Sequence, residues 1–159
     1  MDQMHEAFGN YYEDFEPGRI FYHYPGRTIT QTDNVWFTLL TMNTHPLHFN
    51  LDYCSRTEFG KPLVNSTLTL AMVTGMSVRD ISQNAIANLS FDEVLIPKPT
   101  FEGDTLYAQT EVIERRESKS RPECGIIKVL TLGLNQNKEV VMTFKRNILV
   151  KKRTYDKEQ

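Results

Sequence analysis

The stretch TMNTHPLH, residues 41–48, places a carboxamide at Asn43 two positions before an imidazole at His45 and five before a second at His48. A histidine exchanges a proton near neutral pH, and an amide orients water or a carbonyl without adding charge. The combination suits acid/base chemistry beside a polarised carbonyl. On spacing alone a plain helix exit is the favoured reading, with Asn43 just past the helix end and His48 bonded to a backbone carbonyl, because polar helix-ending residues are common. A metal site fits poorly, because His45 and His48 need further ligands and the neighbouring Asp52 and Cys54 complete no familiar set. Covalent catalysis is also weakly supported: no serine or cysteine sits in a nucleophile elbow, and Cys54 falls in an ordinary helix pattern. His5 and His23 are isolated and are read as structural or surface residues.

A second candidate lies at Asn65 and Ser66, where the apolar run LTLAMVTGMSV begins to form a helix. The first turn of a helix carries N–H groups without intrahelical acceptors, and these stabilise a developing oxyanion. Side-chain capping by Asn65 or Ser66 is the plainer alternative. A proton carrier together with an oxyanion site would serve an activated carbonyl.

Several elements must hold these residues. Thr30 and Asp33 form a capping box, and Val35, Trp36, Leu39 and Leu40 follow helical spacing, so a helix is expected from about Gln31 to Thr41. Pro46 drives His45 away from helical angles, which makes the next residues a shaped turn. Asn50 caps a short helix running to about Glu58 and ended by Gly60. The helix over about 66–80 is apolar nearly all round and belongs inside the fold.

The rest of the chain changes period. RIFYHYPG reads as a first strand stopped by Pro25 and Gly26, and LSFDEVLI as another. TLYAQTEVIERR alternates Leu106, Ala108, Thr110 and Val112 against Tyr107, Gln109, Glu111 and Ile113, and GIIKVLTLGL and EVVMTFKRNILVKK follow after short connections. An antiparallel sheet of at least five strands wrapped around one helix, an α+β class, is therefore expected. The sequence has no glycine-rich phosphate loop and no strand–helix alternation, which argues against a parallel nucleotide-binding sheet.

The chain of 159 residues is read as one domain over 19–151, with an N-terminal arm over 1–18 and a charged tail over 152–159. Eighteen basic against 20 acidic residues give a net charge of −2, so no overall field favours nucleic acid or an anionic membrane as partner. Cys54 and Cys124 lack metal-ligand or disulfide-framework spacing, and no apolar run suits a leader or a membrane span, so a cytoplasmic protein is expected.

Three ordered motifs, TMNTHPLHF, EFGKPLVNS and LIPKPTFEGDTL, resemble those of the MaoC-like, or (R)-specific enoyl-CoA hydratase, family over roughly residues 15–150. The resemblance implies the hot-dog fold, a long helix wrapped by an antiparallel sheet. It also implies a homodimer or higher homo-oligomer, and addition or removal of water at a double bond conjugated to a coenzyme A thioester. It implies no resident cofactor, since coenzyme A enters as part of the acyl-CoA substrate.

The family's usual turn reads Gly-Asp-x-Asn-Pro-Leu-His. His48 keeps its histidine, Asn43 stands at the aspartate, Met42 at the glycine and His45 at the asparagine. The family's oxyanion donor lies in a His-Gly step, which Asn65 and Ser66 occupy here. TMNTHPLH with TEFGKPLVNS is similar to the branch that hydrates mesaconyl-CoA or itaconyl-CoA, whose acyl groups carry a carboxylate. On this basis His48 is assigned proton transfer, Asn43 positioning of water, the Ser66 N–H polarisation of the thioester, and His45 a contact with the acyl carboxylate or a structural role. A hot-dog thioesterase and a non-catalytic acyl-CoA binding module are the competing readings.

Overall fold

A computed structural model describes residues 9–155. Five antiparallel strands, β1 (Ile20–Thr28), β2 (Ala85–Leu95), β3 (Thr105–Glu117), β4 (Cys124–Leu134) and β5 (Val140–Lys151), form one sheet in the order β1-β3-β4-β5-β2. The helices are α1 (Gln31–Leu40), α2 (Leu51–Ser55) and α3 (Ser66–Met76), and the sheet curls around α3. This is the expected α+β hot-dog arrangement. Among the described residues, no helix is long and apolar enough to cross a membrane.

The alternation read in β3 holds, with Leu106, Ala108, Thr110 and Val112 buried. β1 does not stop at Pro25 and Gly26. It runs on to Thr28 with a register shift between His23 and Arg27. β1 is an edge strand, where a missing N–H costs no ladder bond and an irregularity absorbs the proline.

Segment 9–18 lies against the sheet. Phe15 is fully buried, and the Tyr12 ring lies over Gly125, where a Cβ would come within 2.2 Å of it. At the other end, Lys152 donates its N–H to the Glu123 carbonyl and Arg153 pairs with Asp14.

α3 sits close on β4 because Gly133 has no side chain: a Cβ there would meet Val73 at 2.7 Å. Leu68, Thr69 and Val73 are buried, but Ala71, Gly75 and Val78 are exposed. The all-round apolar character thus corresponds to one face under the sheet and one face open. α1 departs further from expectation. Trp36, Leu39 and Leu40, which mark its period, are exposed, while Asn34 and Thr38 are fully buried. The apolar spacing identifies the helix but not its inner face, because that face is hydrogen-bonded to other backbone.

The concave face of the sheet carries two apolar clusters. One gathers Phe15, Phe21, Val112, Val129 and Ile148. The other gathers Leu68, Val73, Ala108, Met142 and Phe144. Between them runs a buried polar row. His23 accepts or donates at both ring nitrogens, to Asp80 Oδ2 and Thr110 Oγ1, each at 2.7 Å. Thr110 meets Thr131 at 2.9 Å, and Arg146 reaches Ser77 Oγ at 2.7 Å.

Candidate active site

The turn after α1 is set by how the helix ends. Met42 N–H bonds Leu39 O and Asn43 N–H bonds Thr38 O, each at 3.0 Å, with Met42 at φ 59°. This is the paired closure of a Schellman motif, whose left-handed position normally holds glycine. It fixes Asn43 as the second residue past the helix. Asn43 Oδ1 then accepts from His45 N–H at 3.0 Å, and His45 Nδ1 accepts from Leu47 N–H at 3.1 Å, opening a 3-10 turn over Pro46–His48.

Cys54 holds this turn from below. Its Sγ–H donates to Leu47 O at 3.2 Å, and burial pushes the thiol pKa up, so it remains a protonated donor rather than a nucleophile.

His48 is half-buried, and its Nδ1 lies 2.8 Å from Leu63 O. A carbonyl only accepts, so Nδ1 carries the hydrogen and Nε2 presents a lone pair. Leu63 N–H bonds Leu47 O at 3.1 Å, and a bridge with Phe101 pins Leu63 from its other side. The motifs EFGKPLVNS and LIPKPTFEGDTL therefore position His48 from outside its own segment.

Asn34 joins the turn to the start of α3. Its Nδ2 lies 2.9 Å from His48 O, 3.1 Å from Leu63 O and 3.0 Å from Glu102 Oε1, and its Oδ1 accepts from Asn65 N–H at 2.9 Å. A fully buried amide with both ends engaged fixes the spacing of the backbones it touches. Asn34 and Glu102 were not singled out in the sequence. The available signal was a polar pair, Asn34 and Thr38, one turn apart within a helix otherwise rich in apolar residues.

Asn65 is the N-cap of α3. Its Oδ1 accepts from Thr67 N–H at 3.0 Å and Thr67 Oγ1 at 2.6 Å, and its Nδ2 donates to Thr38 Oγ1 at 3.3 Å. Its side chain is thereby spent on structure. The next N–H, of exposed Ser66, has no acceptor among the described residues. It stands at the positive end of α3. His45 is exposed, with its ring 6.1 Å from those of both His48 and Tyr53. The site thus offers a proton acceptor at His48 Nε2, an amide N–H2 at Asn43 and a main-chain donor at Ser66.

The sequence model described as mesaconyl-CoA hydratase matches residues 3–158. The chain is 33% identical over 145 residues to a mesaconyl-CoA hydratase of Cereibacter sphaeroides, covering 91% of this chain and 42% of that one. It is 34% identical to a beta-methylmalyl-CoA dehydratase of Chloroflexus aurantiacus, covering 91% and 41%. The chain therefore spans about two fifths of the length of these relatives.

Among solved structures, a MaoC domain dehydratase of Chloroflexus aurantiacus superposes with a TM-score of 0.86 at 34% identity, over 91% of this chain and 41% of that one. A MaoC-like dehydratase of Rhodospirillum rubrum gives 0.80 at 26% identity, over 91% and 99%. A Mycobacterium tuberculosis protein with a double hot-dog fold gives 0.83 at 24% identity, over 91% and 44%, a likeness of fold alone.

Proposed function

The chain belongs to the mesaconyl-CoA hydratase family, and from that premise we propose that it adds water to, or removes it from, a 2-enoyl-CoA thioester with a short carboxylate-bearing acyl group such as mesaconyl-CoA or itaconyl-CoA. The observation that carries this reading is the commitment of His48 Nδ1–H to Leu63 O, which leaves Nε2 as proton acceptor on a backbone tied through Asn34 to the residue preceding Ser66.

In the hydration direction Asn43 Nδ2 donates to the water oxygen, and the water donates to His48 Nε2. The oxygen bonds to the β-carbon, and its proton passes to His48. The double-bond electrons move toward the thioester oxygen, where the Ser66 N–H stabilises the enolate. The protonated His48 Nε2 then delivers that proton to the α-carbon as the enolate electrons return to it, which completes the addition and regenerates the neutral imidazole.

An amide at position 43 cannot act as a base, so His48 alone carries the proton. It also removes a charge that would repel the acyl carboxylate. His45, whose Nδ1 is occupied by Leu47 N–H, contacts that carboxylate through its other nitrogen.

A second copy of the chain pairs along the free edge of β2, where Leu89, Leu95 and Ile96 are exposed, and covers the open face of α3. Two buried free thiols, Cys54 and Cys124, support a reducing cytoplasmic setting.

The test is incubation with mesaconyl-, itaconyl- and crotonyl-CoA, following enoyl-thioester absorbance and free thiol together. Loss of the double bond without thiol release is expected. Thiol release with the double bond intact would mean a thioesterase, and no change with any thioester would mean a binding module.

A further inference from the structure

The polarity of α1 is inverted. Asn34 and Thr38 are fully buried, whereas Trp36, Leu39 and Leu40 are 65%, 55% and 73% exposed. Residues three and four apart share one side of a helix, so these three side chains and half-buried Val35 form a continuous apolar strip. Along it lies a cleft of about 300 Å³, lined by those four residues. Each of them is open to solvent. None belongs to the edge of β2 or to the open face of α3, the surfaces assigned to a second copy.

The strip is too small for a protein partner. A large apolar side chain carries roughly 150–250 Å² of surface, so the exposed parts add to roughly 400 Å², about half of what each side of a stable protein interface buries. A small molecule fits it better. Its position selects which part of a small molecule. α1 leads into the turn that carries Asn43 and His48, and Trp36 stands seven residues before Asn43, about 10 Å back along the helical rise. A coenzyme A thioester has its sulfur at the reacting carbonyl and, behind the sulfur, a pantetheine arm of methylenes, two amides and a gem-dimethyl group. That arm has the reach of about four extended peptide residues, roughly 15 Å.

Resting on the hydratase reading above, we propose that the outer face of α1 is the subsite for the pantetheine arm of the acyl-CoA. The sulfur lies at the Asn43 end, Leu39 and Leu40 pack against the methylenes next to it, and the Trp36 ring packs against the gem-dimethyl group. Of the four side chains along the strip only the Trp36 indole carries a donor, which meets an amide carbonyl of the arm, and the other amide groups face water. The contact is made alike in ground state and transition state. It therefore acts on KM and leaves kcat in place.

Trp36 is the single tryptophan of the chain, so its fluorescence reports this face directly. The full chain is titrated with coenzyme A, pantetheine and adenosine 3′,5′-bisphosphate, following tryptophan emission and binding heat together. Coenzyme A and pantetheine should move the emission to shorter wavelength and saturate, while the bisphosphate leaves it unchanged. Leu40→Asn, at an exposed position that does not threaten the fold, should raise KM for mesaconyl-CoA about tenfold with kcat within about threefold. The subsite is overturned if coenzyme A does not bind or binds with the emission unchanged, or if the bisphosphate alone reproduces the shift. It is also overturned if dilution of the chain without ligand moves the emission, which would mark a second copy on α1. If coenzyme A shifts Trp36 but no enoyl-CoA is hydrated, the hydratase reading fails and the subsite stands. If hydration proceeds and neither emission nor KM responds, the subsite fails and the hydratase reading stands.

Discussion

Asn34 accepts the Asn65 N–H at 2.9 Å and donates to the His48 carbonyl at the same distance, so one buried side chain spans the Asn43–His48 turn and the start of α3. Asn34→Asp keeps the acceptor and removes the donor. We expect kcat to fall by about 10- to 100-fold, the scale seen when a group that orients site residues is removed, with KM changed less than about threefold. Unfolding stability should drop by about 1–3 kcal/mol, from unsatisfied carbonyls. An unchanged kcat in a folded Asn34→Asp protein would separate this amide from catalysis.

His48→Ala should lower kcat by at least about a hundredfold, since it removes the general base. Added imidazole, small enough to enter the vacated space, should restore part of the rate. Near-normal turnover in His48→Ala would end the assignment.

Asn43→Asp restores the carboxylate usual at this turn. Turnover of mesaconyl-CoA should become poorer through like-charge repulsion, and turnover of uncharged crotonyl-CoA should hold or improve. Steady-state kinetics on both thioesters checks this, and better use of mesaconyl-CoA would contradict the charge argument.

Met42 occupies a left-handed position, φ 59°, with its side chain exposed. That conformation costs a non-glycine residue roughly 1–2 kcal/mol, offset in part by the greater unfolded-chain freedom of glycine. Met42→Gly should therefore gain up to about 1 kcal/mol in urea unfolding, with activity retained. A loss of stability would mean that the Met42 side chain makes a contact worth more than the strain.

Burial holds His23 below its ordinary value of 6.5, outweighing the opposing pull of Asp80. Above about pH 6.5 the histidine is neutral in both states and contributes no slope. As pH falls below that point the unfolded chain takes up the proton first. Stability is then lost until pH reaches the folded-state value, and the loss runs at up to about 1.4 kcal/mol per pH unit. Urea midpoints at pH 7.5 and 5.5 should show this decline, and His23→Gln should flatten it. An equal decline in the variant would place its origin elsewhere.

The fold was legible wherever period and burial agree. β3 alternates in sequence because one face of it is core, and Asn50 and Thr30 cap helices as their spacing implies. α1 shows the limit: periodicity located the helix, but its inner face is the polar one, with Asn34 and Thr38 buried and Trp36, Leu39 and Leu40 exposed, so apolar spacing does not tell which side faces the fold. Of the candidate site, His48 and the Asn65–Ser66 step were named from residue type, and the structure places them on a turn and a helix start that Asn34 joins. Asn34 and Glu102 were not, because their importance comes from contacts 14 to 68 residues apart in the chain, which local spacing does not encode. β1 passed through Pro25 because only the finished sheet order makes it an edge.

The bonded row His23–Thr110–Thr131, with buried Arg146 on β5, lies between the two apolar clusters. Substitutions on opposite sides should combine additively, whereas neighbours on one side should couple. The compartment holding Leu68, Val73 and Phe144 lies under α3, whose first turn carries the Ser66 N–H. Under the proposed function, substitutions there should change which acyl group is accepted, while Phe15, Val112 and Ile148 belong to the other cluster. On that reading, the packing that holds the N-terminal segment onto the sheet and the packing beside the candidate oxyanion donor lie in separate clusters and can vary independently.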